Sequence, residues 1–193
     1  MSHRERILKI SIILFNQRGV GVTSTNHIAK AAAVSPGNLY FHFSAKSDIL
    51  RELFNMMAQE LETLWLQVDP TTTDTGPKDF INPTLDVFWR YRFFHREMYA
   101  IRRQDPLIAR NWRRHLQLSV NVFEAALSTW ERQEIIPPFG DATARHELAM
   151  QAIITASTSL QFYEAHVRTA PKELLKNAEA TLLRLFRQRS QRE

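Results

Sequence analysis

Apolar residues recur at intervals of three and four along nearly the whole chain, and this spacing most restricts the folds open to it. No long stretch alternates apolar and polar residues, and only five of the 193 residues are glycine. A spacing of three and four puts apolar side chains on one face of a helix, whereas a half-buried strand alternates with a period of two. We therefore predict an all-α fold.

Proline and glycine divide this helical chain into segments. A first amphipathic helix is expected to end at Arg18–Gly19, and a short second helix to start near Thr23, capped by Thr23 or Ser24. Residues 69–83 contain Pro, Gly and Thr without periodicity and are predicted to be a linker. Longer helices are predicted at about 48–68, 83–104, 106–116, 117–135, 142–168 and 172–189.

This organisation predicts a small N-terminal unit of three helices at residues 1–47, a connecting helix at about 48–68, and a larger helical domain at residues 69–193. The chain has no cysteine, which excludes disulfides and cysteine-based metal sites. No segment approaches the roughly 20 apolar residues that span a bilayer, and we expect no secretory leader. A cytoplasmic location is the expectation that fits these features.

Positive charge is concentrated near the N-terminus. The net charge is +5, and residues 1–52 carry seven basic and three acidic side chains, which accounts for four of the five charges. A basic patch on a small unit suggests a polyanionic partner, although a solvated basic face would give the same count.

The segment VSPGNLYFHFSAK, residues 34–46, follows the second helix closely enough for a helix-turn-helix. Ser35 is a favourable N-cap, and Pro36 suits the first helical position because its missing N–H is not needed there. Gly37 and Asn38 add little bulk, so a partner could approach the backbone closely. In such motifs the second helix lies in the major groove of DNA.

The stretch GVTSTNHIAKAAAVSPGNLYFHFSAKSDIL, residues 21–50, resembles the DNA-binding signature of the TetR/AcrR family of bacterial transcription regulators. The family pattern "IA..A.VS.G.LY.HF..K..L" is matched without gaps. The matching residues are Ile28, Ala29, Val34, Ser35, Gly37, Leu39, Tyr40, His42, Phe43, Lys46 and Leu50. One departure is Ala33, where the family often has glycine; in a left-handed conformation alanine there costs about 1 kcal/mol.

The resemblance implies roles for individual residues in DNA binding. Tyr40 and Lys46 would contact phosphates, and Asn38 could read adenine. Leu39 and Phe43 are expected in the core, whereas Phe41 could be core or exposed to the duplex. The full set of expected DNA-binding residues is Thr25, Asn26, Ser35, Gly37, Asn38, Tyr40, His42 and Lys46.

The resemblance implies that the larger domain binds a small-molecule effector. The predicted helix at 83–104 is apolar on two sides, which is typical of a buried central helix. Arg92 and Arg96 on that helix either pair with acidic groups or reach the protein surface. The alternative is that they bind an anionic ligand in an aromatic pocket. The expected pocket residues are Phe88, Trp89, Arg92, Phe93, Arg96, Trp112, Phe123, Trp130 and Phe162.

Two stripes on the last helices contain small residues at intervals and could be intramolecular core. The resemblance favours a homodimer interface of four helices, with two helices from each protomer. These stripes are Ala149, Ile153, Ala156 and Leu160, and Leu174, Ala178, Leu182 and Leu185. Two DNA-binding units spaced about 34–36 Å apart would read a palindromic operator.

Three functions are open to such a chain: a ligand-responsive DNA-binding regulator, most simply a repressor; an interaction protein that keeps this fold but binds a protein partner in place of DNA; and an all-helical enzyme. No nucleophile–base set, P-loop or dinucleotide motif supports an enzyme. The nearest approach to a metal site lacks a recognised ligand spacing, so neither a metal nor a cofactor is expected. Its residues are His146, Glu147, Glu164 and His166.

Overall fold

The computed structural model describes residues 1–66, 76–139, 141–166 and 170–187, without the side chains of His166 and Arg187. Within these ranges the chain forms nine helices and no strand, which confirms the all-α prediction. No helix in the described ranges is long and apolar enough to cross a membrane. The helices are α1 (His3–Arg18), α2 (Thr25–Ala31), α3 (Pro36–His42), α4 (Lys46–Leu66), α5 (Pro77–Arg90), α6 (Arg92–Gln104), α7 (Pro106–Arg132), α8 (Ala142–His166) and α9 (Pro171–Arg187).

Short polar side chains begin the first three helices. Ser2 caps α1 in a reciprocal box with Glu5. Ser24 caps α2, accepting from the His27 amide at 3.2 Å, while the imidazole of His27 accepts from the Ser24 amide at 3.3 Å. Ser35 caps α3, and Pro36 occupies the first turn as predicted. Local signals of this kind made these helix starts predictable from the sequence.

The predicted helix at 83–104 is wrong, since the chain breaks at Tyr91 into α5 and α6. The side chain of Asn16 explains the break. Its amide donates to the Arg90 carbonyl at 2.8 Å, and its carbonyl oxygen accepts from the Phe93 amide at 3.1 Å. These bonds take one acceptor and one donor that a continuous helix would pair internally.

Two other helix boundaries differ from the prediction. Helix α5 begins at Pro77 and includes Pro83, so the predicted linker covers seven residues too many at this end, and its residues 69–75 lie outside the described ranges. Pro77 suits the first turn, and the Asp79 carboxylate accepts from the Gly76 amide at 2.9 Å. The predicted helices at 106–116 and 117–135 are one helix, α7, because no proline or glycine interrupts it.

The chain divides into two compact units. The first comprises residues 1–59 and 90–111, and the second comprises residues 60–89 and 112–193. Residues 90–111, which contain α6, therefore belong to the same unit as the three N-terminal helices. The functional boundary at residues 47–69 stays a prediction.

Each unit has its own aromatic core. In the first unit the ring of Phe15 lies 5.2 Å from that of Phe93, and Phe54 packs edge-on against Phe94 at 5.8 Å. All four rings are 2% exposed or less, so they fix α6 to α1 and α4. In the second unit, rings from four helices are in mutual contact: Trp65, Phe80, Phe123, Trp130 and Phe186.

Candidate nucleic-acid interface

The turn between α2 and α3 closes with a Schellman pair of hydrogen bonds. The Val34 amide donates to the Ala29 carbonyl at 3.0 Å, and the Ala33 amide donates to the Lys30 carbonyl at 3.2 Å. This arrangement requires a left-handed residue after the C-cap, and Ala33 has φ of +50°. The turn therefore has the geometry that glycine usually supplies after a helix, with alanine in the strained position.

Helix α3 is fixed to the first unit by its apolar side chains. Leu39 is completely buried and Phe43, at the C-cap, is 4% exposed, which confirms the prediction that both are core residues. Arg4 stacks over the Phe43 ring from α1, at 5.4 Å. Because one face of this seven-residue helix is held in the core, its opposite face is presented outward.

Gly37 and Phe41 lie one turn apart on the outward face of α3. A Cβ built on Gly37 would meet only the Ser35 hydroxyl oxygen, at 4.0 Å, so nothing in the described chain requires glycine there. Phe41 is 83% exposed, which answers whether it is core or surface. Tyr40 beside it is half-exposed.

The hydroxyl of Tyr40 lies 3.0 Å from the hydroxyl of Thr25, at the start of α2. This bond brings together two residues expected to bind DNA and links α2 to α3. Asn26 is exposed next to Thr25. His42 is half-buried, and its ring lies edge-on to that of Phe41 at 5.1 Å.

Asn38 is less accessible than its expected role requires. Its side-chain Oδ1 is shielded from solvent and has no hydrogen-bond partner in the described chain, and its backbone amide donates to the Ser35 hydroxyl at 3.1 Å. Paired recognition of adenine uses both the oxygen and the nitrogen of an asparagine amide. In this conformation the side chain would have to rotate before it could read adenine.

Lys46 is directed into the first unit. Its ammonium donates to the carbonyls of Val20 at 2.8 Å and Thr23 at 3.0 Å, so two of its three N–H groups hold the segment between α1 and α2. The Thr23 hydroxyl continues this network by donating to the Gly19 carbonyl at 2.7 Å. Sequence reasoning missed this internal role, and a phosphate contact by the remaining donor stays a prediction.

The pocket set is distributed over both units. Arg92, Phe93 and Arg96 belong to the first unit, where Arg96 donates to the carbonyls of Phe15 at 3.1 Å and Asn16 at 2.8 Å. This guanidinium contacts the C-terminal turn of α1, and a ligand contact by Arg96 stays a prediction. The remaining residues belong to the second unit: Phe88, Trp89, Trp112, Phe123, Trp130 and Phe162.

Within the second unit, Phe123 and Trp130 are in ring contact at 6.1 Å, but Phe162 is 56% exposed on α8. His115 stacks on Trp65 at 5.8 Å and lies 6.0 Å from the Trp112 ring. Burial lowers the pKa of His115 from 6.5 to about 4, so its imidazole is neutral at physiological pH. His115 was not singled out from the sequence as a buried neutral histidine. The available signal was its place in the sequence three residues after Trp112.

The predicted dimer stripes are mostly core of the single chain. Six of the eight side chains are 9% exposed or less, and α8 packs directly on α9. These six are Ala149, Ala156, Leu160, Leu174, Ala178 and Leu182; Ile153 and Leu185 are half-buried. Periodicity identified which face is buried but not what buries it. The large apolar side chains that α8 leaves exposed are Met150, Ile154 and Phe162, at 39%, 57% and 56%.

A short helix, a tight turn and a second short helix with an exposed outer face define a helix-turn-helix unit. A family profile described as "Bacterial regulatory proteins, tetR family" matches residues 7–53. A second profile, described as "Bacterial transcriptional repressor", matches residues 56–189. The chain belongs to the TetR family of bacterial regulatory proteins.

Curated relatives agree with this family. The HTH-type transcriptional regulator AcrR of Shigella flexneri is 41% identical over 64 residues, 33% of this chain and 30% of that protein. The probable acrEF/envCD operon repressor of Escherichia coli K12 is 34% identical over 73 residues, 35% of this chain and 33% of that protein. The chain therefore spans about a third of the length of these relatives.

The fold agrees over nearly the whole chain with a solved structure. A TetR-family transcriptional regulator from Marinobacter aquaeolei VT8 superposes with a TM-score of 0.88 at 27% identity, covering 96% of this chain and 90% of that one. The likeness thus extends through both compact units.

Proposed function

We propose that the chain is a transcriptional regulator that binds a palindromic DNA operator as a homodimer and releases it when a small molecule binds. The observation that carries this proposal is the outward face of α3, where Gly37 leaves the backbone bare and Phe41 projects, while Leu39 holds the opposite face in the core. A helix anchored on one side and unobstructed on the other is what the major groove admits.

Repression is the proposed direction of regulation. The relative named as a probable operon repressor, and the profile described as a bacterial transcriptional repressor, support this choice. A cytoplasmic location belongs to the same proposal, since the operator would be chromosomal DNA. Thr25 and Asn26 on α2, with Ser35, Tyr40 and His42 at the start and along α3, remain proposed contacts with the operator.

The proposed dimer uses the exposed face of α8. Met150, Ile154 and Phe162 recur there at intervals that place them along one side of the helix, with the polar Thr158 between the last two. Exposed apolar side chains in such a row are typical of an interface between subunits. Two α3 helices held one turn of DNA apart would give the palindromic specificity.

The proposed effector site lies in the second unit, near Trp112, Phe123 and Trp130, with Phe88 and Trp89 on the adjoining helix. The rings of Trp65 and Trp112 beside neutral His115 support an apolar or aromatic effector. A compound that lowers operator affinity should change the intrinsic tryptophan fluorescence, and Trp112→Phe should weaken that response.

The test of the function is a gel-shift titration against the DNA upstream of the chain's own gene. We expect binding that weakens steeply as salt rises, because lysines and arginines that contact phosphates displace condensed counterions. Absent binding, or binding that does not respond to salt, would refute the proposal. Retention of a protein partner on the outer face of α3 without any DNA binding would favour the interaction protein instead.

A further inference from the structure

Phe41 is the most exposed aromatic ring in the described part of the chain. Among the ring contacts of the described first unit, the Phe41 ring has one, edge-on with His42. Phe41 lies one residue before the end of the seven-residue helix α3. Burying a phenylalanine is favourable by roughly 1.5–3 kcal/mol, so a ring held in water lacks the contribution it would make elsewhere. Its position therefore makes the ring available to a partner outside the chain.

The surroundings of Phe41 define the chemistry of that partner. One turn earlier, a Cβ built on Gly37 would meet only the Ser35 hydroxyl oxygen, at 4.0 Å, so the exposed ring lies beside uncovered backbone on the same face of α3. A phenyl ring has no hydrogen-bond donor and cannot bind a phosphate or a polar base edge. Thymine is the DNA base that presents a methyl group in the major groove, and phenylalanine packs against that methyl.

We propose that Phe41 is a specificity-determining residue that packs on the C5-methyl group of a thymine in each operator half-site, with Gly37 leaving room for the base. The proposal rests on the proposed function, since it requires α3 to lie in the groove. It also separates Phe41 from Asn38, whose Oδ1 is shielded in the same helix. The apolar residue is thus the one already presented to the groove.

Loss of this contact should differ from loss of a phosphate contact. A methyl–ring contact releases no counterions, so Phe41→Ala lowers operator affinity while the slope of log affinity against log salt stays unchanged. Because Phe41 is 83% exposed, its removal leaves no cavity and the unfolding transition should not move.

The experiment first locates the operator by footprinting. Each thymine in it is then replaced, one at a time, by deoxyuridine, which removes only the methyl group. The wild type should lose about 3- to 10-fold in affinity at one position per half-site, and Phe41→Ala should show no loss there. Tyr99→Ala on α6, which removes another largely exposed ring, should keep the wild-type pattern. The same deoxyuridine loss in wild type and Phe41→Ala overturns the assignment, as does a wild type with no sensitive position. If no operator is bound, both this proposal and the proposed function are wrong. If an operator is bound but the deoxyuridine pattern does not depend on Phe41, only this proposal is wrong.

Discussion

Both carboxylate oxygens of Glu97 accept a hydrogen bond from the backbone amide of Val20, at 3.0 Å each. Glu97 lies on α6 and Val20 lies in the segment between α1 and α2, so the contact joins residues 77 positions apart. Gly19 beside it has φ of +89°, and a Cβ there would lie 3.1 Å from a Glu97 oxygen. Helix α6 therefore holds the corner from which α2 departs.

Removal of the Glu97 carboxylate should destabilise the first unit. Glu97→Ala leaves the Val20 amide, in a residue that is 6% exposed, without its charged acceptor, and we expect a loss of about 1–3 kcal/mol in the free energy of unfolding. Chemical denaturation measures this loss. Glu62→Ala, at an exposed position of α4, is the control and should change stability by less than about 0.5 kcal/mol. Equal effects of the two substitutions would mean that the Glu97 contact has no special role.

Replacing Ala33 by glycine should stabilise the folded chain, because Ala33 has a left-handed backbone. A left-handed alanine costs about 1–2 kcal/mol, and glycine adds at most about 1 kcal/mol of entropy cost in folding, so Ala33→Gly should raise the free energy of unfolding by about 0.5 kcal/mol. Ala31→Gly, two residues earlier in α2, should lower it by up to about 1 kcal/mol. Thermal unfolding of both variants checks the opposite signs; a loss at position 33 would contradict the strain.

Because His115 is buried, we expect the free energy of unfolding to decrease as the pH is lowered. Its pKa is about 4 in the folded chain, lowered by burial, against 6.5 when exposed, so the unfolded chain binds more protons between these values. Stability is therefore full above pH 6.5 and is lost as pH falls towards 4, with a loss of about 2 kcal/mol between pH 7.5 and 5. His115→Phe, which keeps an aromatic ring, should remove this component. His3→Phe at an exposed position should retain it, and an unchanged pH profile for His115→Phe would count against the assignment.

These relationships show what the sequence could and could not predict. The starts of α1–α3 follow from serine caps and a proline within a few residues, so local chemistry sufficed. The break at Tyr91 depends on Asn16, 75 positions earlier, and no local signal reports that contact. The carbonyls that receive Lys46 and Arg96 are likewise distant in sequence, so their internal roles required the structure.

The exposed face of α8 predicts the oligomeric state. Ile154→Glu should convert the proposed homodimer to a monomer, because a buried, unpaired carboxylate at the centre of an apolar interface costs several kcal/mol. Sedimentation velocity at micromolar concentration measures the mass. Ile13→Glu places the same change on an exposed isoleucine of α1 and should leave the dimer intact. A dimer that survives Ile154→Glu would place the interface elsewhere.

The most direct test of the central claim, that the outer face of α3 meets DNA, compares two glycines. Gly37→Ala and Gly21→Ala each add one methyl group to open space within the chain, but only Gly37 lies on α3. In a helix, alanine is favoured over glycine by about 0.5–1 kcal/mol, so Gly37→Ala should not lower stability. The account predicts operator affinity at least about 10-fold weaker for Gly37→Ala, with Gly21→Ala close to wild type. Wild-type affinity for a stably folded Gly37→Ala would contradict it.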